Sequence, residues 1–326
     1  MRPYRSLLFV PGNRPRMLEK AATTGADALV LDLEDAVPHE EKPTARQLVR
    51  EIALDAHGPA IFVRINSVAS GLAHEDLDCV VGPRLTGVFL PKADGPDEVK
   101  QVSGWIADLE KHRGVDSGAV EIVAMLESAN SVRLAYEVAA ASSRVGSVCF
   151  SSGQDGDFQT DLGSDWSLEG TELLYARSKV VLDARAAGVD YPLDGVFVDI
   201  ANLDGLRADT TLSKRLGYKG RTIIHPSHVE IVNQIYTPSA AEREHYRGLL
   251  EAFASATAAG RGSARYRGRM IDQAQATRAR QVLDLAEAFD VDPRCKEGFD
   301  DTGMGHHRPG PSGRHAGRSG NCCGSE

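Results

Sequence analysis

Several common classes of protein are argued against by what this chain lacks. No apolar stretch approaches the roughly 20 residues that span a bilayer. The N-terminal run in MRPYRSLLFVPG is about five residues long, shorter than a signal-peptide core, and no small-residue cleavage site follows it. Cys79, Cys149 and Cys295 are scattered, and Cys322 and Cys323 are adjacent in a polar tail. With no CxxC pair, neither a disulfide framework nor a zinc site is indicated, and a reducing, cytoplasmic compartment is expected. Positive charge is not in excess: 37 Lys and Arg face 46 Asp and Glu, for a net charge of −9. Bulk attraction to nucleic acid or to an anionic membrane is therefore not expected. The turn after the first apolar run, PGNRPRM, has one glycine and no GxGxxG pattern, which disfavours a doubly wound dinucleotide fold.

The dominant positive signal is repetition. A short apolar run, often β-branched, ends in polar residues or glycine and is followed by a helical pattern. Eight such runs occur: 6–12, 28–37, 60–66, 87–93, 121–128, 147–153, 195–200 and 222–227. Ala-rich amphipathic segments such as RPRMLEKAATTGA and SANSVRLAYEVAAAS lie between them. Strand–helix alternation implies a parallel sheet covered by helices. Eight repeats over roughly 225 residues match a (β/α)₈ TIM barrel, usually about 250 residues long. After residue 236 the pattern changes. TPSAAE carries a helix-capping signature, and a second extended-then-helical piece follows in GSARYRGRMIDQAQATRARQVL. The expected organisation is a catalytic barrel over 1–236, a C-terminal helical extension over 237–297 and a disordered tail over 298–326, poor in apolar residues.

In a barrel of this type the site lies at the C-terminal ends of the strands. Those ends present Asn13 and Arg14, then Glu34 and Asp35, Arg64 and Asn66, Lys92, Glu127, Asp155 and Asp157, Asp199, and His225. Clustered carboxylates with little His and no Cys suit a hard, oxygen-loving cation: magnesium, with manganese fitting the same ligands. The arginines suit a carboxylate or phosphate. Any one of these acids has an ordinary alternative as a helix cap or solvated loop residue. Asp32, inside its run, reads equally as a buried structural acid, and Asp199 as a helix brace. Convergence of compatible groups on one face favours a site.

The ordered motifs FVPGNRPRMLEKA, LDLEDAVPHEEKPTAR, VRIN, LPKAD, AMLESA, QDGDFQTDLG and IIHPS carry a resemblance. From about residue 5 to about 290 the chain resembles the citrate lyase β-subunit and malyl-CoA lyase family of CoA-ester carbon–carbon lyases. The resemblance implies magnesium ligands at Glu127 and Asp157. Asp157 keeps the family's spacing to Leu162-Gly163, while Gly156 departs from the usual Glu or Thr and keeps Asp155 a rival. It also implies a site arginine at Arg64, supporting acids at Glu34 and Asp35, and a CoA-binding basic pair at Arg14 and Lys20. RMIDQ resembles the lid of longer family members, in which Asp272 is an acid/base supplied to a neighbouring subunit; the plain alternative is a helix cap. The implied substrate is a CoA thioester such as malyl-CoA or citramalyl-CoA, cleaved to a 2-oxo acid and a smaller acyl-CoA by a homo-oligomer. A class II metal-dependent pyruvate aldolase and a carrier-protein-dependent citrate lyase β-type subunit are the alternatives.

Overall fold

The computed structural model of the chain describes residues 1–55 and 58–290. Eight parallel strands close on themselves: β1 (Ser6–Pro11), β2 (Ala28–Asp32), β3 (Ala60–Arg64), β4 (Gly87–Leu90), β5 (Glu121–Leu126), β6 (Val145–Phe150), β7 (Leu193–Asp194) and β8 (Gly220–Ile223). Closure runs through Leu7 beside Thr222 and Leu8 beside Ile223, so the sheet has no edge. Around it lie α1 (Pro15–Ala21), α2 (Lys42–Asp55), α3 (Ala73–Val80), α4 (Pro96–Arg113), α5 (Ala129–Arg133), α6 (Ala135–Ala139), α7 (Asp157–Leu162), α8 (Leu174–Ala186), α9 (Leu203–Leu216) and α10 (Val229–Tyr236). The (β/α)₈ barrel expected from the repeats is the fold.

Period-two alternation sorts each strand into an inner and an outer face. Leu7, Ala28, Val30, Phe62, Phe89, Val123, Met125 and Cys149 fill the barrel interior. Leu8, Val10, Leu29, Leu31, Ile61 and Val63 face outward and pack under the helices. An edge-to-face aromatic column climbs the interior from Tyr4 to Phe62 (5.5 Å), Phe89 (5.7 Å) and Phe9 (5.8 Å). The same alternation puts Asp32 in register with Val30 and Arg64 with Phe62. Polar groups thus begin where the aromatic column ends.

Most of the expected strands run past the observed ends by a few residues. The cause is that backbone bonding continues beyond the ladder: Gly12 N donates to Asp32 O at 2.8 Å and Leu33 N to Arg64 O at 2.9 Å. Gly12 has to be glycine, since a Cβ there would lie 2.6 Å from the Asp32 carbonyl oxygen. The seventh run is displaced. Residues 195–200 were expected as strand, but β7 holds only Leu193 and Asp194. At Gly195 the backbone presses on the end of β6, where a Cβ would meet Ser152 N at 2.5 Å, and the chain leaves the ladder there.

Beyond the barrel come α11 (Ala240–Ala258), a hairpin of β9 (Ala264–Tyr266) and β10 (Arg269–Ile271), and α12 (Gln273–Asp290). The capping signature holds: Ser239 Oγ accepts from Glu242 N at 3.2 Å, and Glu242 Oε2 accepts from Ser239 N at 2.8 Å. The far end of α12 sits under the barrel, with Arg5 over the Phe289 ring at 4.8 Å and Asp290 paired with Arg243. The expected tail, 298–326, lies outside the described residues.

Candidate active site

The top layer begins with a ladder pair. Asp32 and Arg64 are register partners on β2 and β3, both facing inward. Arg64 donates Nε to Asp32 Oδ1 at 2.7 Å and Nη2 to Oδ2 at 2.5 Å, and its Nη1 lies 3.1 Å from Glu34 Oε2. Its guanidinium lies 4.9 Å over the Phe9 ring, on top of the aromatic column. Asp32 also accepts the backbone N–H groups of Glu34 at 2.9 Å and Ala36 at 3.3 Å. A buried carboxylate needs such partners, and these explain an acid inside an apolar run. Asp32 takes two of the five guanidinium N–H groups and Glu34 faces Nη1 as an ion pair; the remaining N–H groups make no hydrogen bond among the described residues. Burial by itself lowers the Arg64 pKa, but the hydrogen bonds to Asp32 and the charges of Asp32, Glu34 and Asp35 outweigh it and raise the pKa above its ordinary value.

Glu34 is buried between two cations, with Lys92 Nζ 2.8 Å from its Oε1 and Arg64 on its other oxygen. Burial pushes its carboxyl upward, against the lowering pull of Arg64 and Lys92. Asp35 is exposed and lies 3.5 Å from Lys92 Nζ. Across the mouth, Glu127 follows β5 and is 6 % exposed. Its Oε1 accepts the backbone N–H of Lys92. Burial pushes the Glu127 carboxyl up to about 7; the charges of Glu34 and Asp157 add to this, while the Lys92 N–H and Arg64 oppose it.

The remaining expected residues fall in three places. Asp157 opens α7, exposed, and is near enough for its charge to act on Glu127 and Lys92. Asp155 has a left-handed φ of 55°, its N–H goes to Gln159 Oε1 at 2.7 Å, and it is not among the groups that chiefly set Glu127. Arg14 and Lys20 lie exposed at the start and in the last turn of α1, with no hydrogen bond or ion pair from either side chain among the described residues. Asp272 stands apart. Its Oδ1 accepts Ala274 N at 2.8 Å and its own N–H goes to Gln275 Oε1 at 2.8 Å, so it caps α12. Among the described residues no bond joins it to the mouth. Asp199 braces the turn into α9 by accepting from Ala201 N at 3.1 Å, and His225 accepts from Ser227 N at 3.2 Å.

Sequence reasoning missed a supporting lysine. Lys42 Nζ reaches Leu33 O and Glu34 O at 2.8 Å each and Asn66 Oδ1 at 2.7 Å. Asn66 in turn donates Nδ2 to Leu33 O and to the buried Asp76. This network fixes the ends of β2 and β3 together. The motif EDAVPHEEK holds the signal, a lysine eight residues after Glu34, but a sequence does not say that its ammonium returns to those carbonyls.

Could these residues hold a cation? Among the described residues no three His, Cys, Asp or Glu side chains form a ready-made cage. Magnesium characteristically takes one or two carboxylates and leaves the rest of its octahedron to water and substrate. Glu127 is a buried carboxylate whose ionised form a bound cation would favour, and Asp157 lies close by on the solvent side. The set fits magnesium or manganese, whereas zinc favours imidazole or thiolate.

Comparison with known proteins agrees with this architecture. A family model described as HpcH/HpaI aldolase/citrate lyase matches residues 5–226, and one described as a C-C bond lyase of the TIM-barrel fold matches residues 176–291. The citrate lyase subunit beta of Leuconostoc mesenteroides subsp. cremoris is 34 % identical over 286 residues, covering 87 % of this chain and 93 % of that one. A (3S)-malyl-CoA thioesterase of Cereibacter sphaeroides is 34 % identical over 289 residues, covering 88 % and 96 %. Among solved structures, the CitE protein of Mycobacterium tuberculosis in complex with magnesium, acetoacetate and coenzyme A superposes with a TM-score of 0.71 at 30 % identity, covering 88 % of this chain and 98 % of that one.

Proposed function

The chain belongs to the HpcH/HpaI aldolase/citrate lyase family, and on that premise we propose a magnesium-dependent lyase of a 3-hydroxy-3-carboxyl acyl-CoA, with malyl-CoA and citramalyl-CoA as candidate substrates. The observation that carries the reading is the pairing of a buried Glu127 with an Arg64 that is braced by Asp32 and keeps guanidinium N–H groups without a hydrogen bond, among the described residues, at the same mouth. The CitE complex, with magnesium, acetoacetate and coenzyme A bound, supports the ligand classes.

In this reading Glu127 and Asp157 would hold magnesium (manganese would serve), which when bound would supply charge stabilisation to the oxygens of the substrate. The hydroxyl gives its proton to water at the mouth, the O–H electron pair forms the keto group, and the carbon–carbon bond breaks. The released pair resides on the acyl-CoA as an enolate, whose oxygen takes the free N–H groups of Arg64. Asp32 holds the guanidinium over Phe9, and Glu34 and Asp35 hold Lys92 and ordered water beside it. Asp272 protonates the enolate carbon, and Arg14 and Lys20 hold the CoA phosphates. Residues 1–236 are then the catalytic barrel and 237–297 a lid. Because Asp272 caps its own α12 and, among the described residues, makes no bond to the mouth of its own chain, the reading takes a homo-oligomer in which a neighbour supplies the lid.

The test is keto-acid and thiol release from malyl-CoA and citramalyl-CoA, with magnesium and with a chelator. Keto acid formed only with magnesium supports the lyase. Metal-dependent cleavage of a hydroxy-keto acid without turnover of any CoA ester would move the protein to the pyruvate aldolases. Activity only with an acyl carrier protein would make it a citrate lyase β-type subunit, as the Leuconostoc relative is named.

A further inference from the structure

Lys92 follows β4 with φ 51°, one of three non-glycine residues in the left-handed region among the described residues. Side chains disfavour that region and glycine enters it freely. A lysine retained there calls for a reason, and such outliers cluster at functional sites. Lys92 makes contacts in two directions. The backbone N–H points at Glu127 Oε1, and the ammonium reaches back to Glu34 Oε1 at 2.8 Å and Asp35 Oδ1 at 3.5 Å. One residue therefore touches the acids at the ends of both β2 and β5.

We infer that Lys92 is a positioning residue with two separable parts: a left-handed backbone that aims the Glu127 carboxylate, and an ammonium that holds Glu34 beside Arg64. The N–H occupies Oε1, and among the described residues no hydrogen bond is made to Oε2, so the contact decides which oxygen faces the mouth. The ammonium stays charged. Burial alone would lower its pKa, but the Glu34 hydrogen bond and the charges of Glu34, Asp35 and Asp157 raise it. A simple ion pair would need neither the strained backbone nor the contact to Glu127. The inference rests on the proposed reading of Glu127 as a metal ligand.

The experiment compares Lys92→Gly, Lys92→Val and Lys92→Arg. Gly and Val remove the same charge but differ in backbone preference, since a β-branched residue resists φ > 0. Titration calorimetry with magnesium chloride alone reads the backbone part. Lys92→Gly should bind at least as tightly as wild type, and Lys92→Val about tenfold more weakly or worse, the usual loss when a ligand's outer partner is disturbed. Equal affinity in the two variants overturns the backbone part. Steady-state kinetics read the ammonium. Lys92→Gly should lose about tenfold or more in kcat with little change in KM and an unchanged melting temperature, and Lys92→Arg should restore part of it. Wild-type kcat in Lys92→Gly overturns the ammonium part. A wild-type protein inert on every CoA ester would remove the proposed activity, while the Gly and Val comparison of magnesium affinity would still judge the backbone.

Discussion

Glu127 is the residue at which stability and function conflict. Its folded-state pKa lies near 7, above the ordinary 4.5. For an acid raised in this way, the unfolded chain gives up its proton first as pH rises. Its burial therefore costs nothing below about pH 4.5, costs progressively more between 4.5 and 7, and costs a constant amount above. Glu127→Gln keeps an acceptor for the Lys92 N–H and removes the charge. In chelator, denaturant unfolding should show this variant more stable than wild type by up to about 3 kcal/mol above pH 7, with the gap closing toward pH 5. A variant less stable than wild type at pH 8 would contradict the assignment of burial as the cause. Glu34, Arg64, Lys92 and Glu127 were legible in the sequence because each ends an apolar run. Asp32 and Lys42 were visible but their roles were not. The partner of Asp32 is set by a ladder register 32 residues away, and those of Lys42 include backbone carbonyls that no motif marks.

At the scale of elements, the weak seam is β7. Two residues of ladder do little to join β6 to β8. A buried charge network spans the gap: Arg177 on α8 pairs with Asp194 on β7 and, at 2.8 Å, with Asp209 on α9. Asp209 also holds Arg221 of β8 at 2.8 Å, and Arg221 donates twice to the Gly195 carbonyl. Burial raises the Asp209 pKa, but the two arginines outweigh it and hold the carboxyl below the usual range. Removing one member of such a network strands the others without water. Asp209→Asn should cost about 3–5 kcal/mol at neutral pH, read by denaturant unfolding, and the cost should begin to shrink only as pH falls below the ordinary carboxylate value toward the depressed one. A loss below about 1 kcal/mol would mean that water already enters the seam. The eight runs were legible because buried parallel strands are continuously apolar. The seventh was misplaced because GVFVDI is equally apolar while a close approach at Gly195, invisible in sequence, ends the ladder before it.

For the whole molecule, the question is how Asp272 meets a barrel mouth. In one chain it caps α12, whose other end is tied to the barrel by Arg5 and to α11 by Arg243. If a neighbour's lid completes each site, Arg64→Gln and Asp272→Asn should each be nearly inactive alone. Co-assembled in equal amounts they should recover roughly a quarter of wild-type activity, since half the sites keep Arg64 and half of those meet an intact lid. Absence of recovery in proven mixed oligomers would rule out a lid supplied by a neighbour, and a fully active Asp272→Asn would place Asp272 outside the reaction.

The central claim is that Glu127 and Asp157 hold a divalent cation at the mouth of the barrel. The most direct measurement is a manganese titration followed by electron paramagnetic resonance, on wild type, Glu127→Gln and Asp157→Asn. One manganese per chain, displaced by magnesium and weakened about a hundredfold or more in both variants, is the predicted result. Manganese bound equally well by all three proteins, or by none, would contradict it.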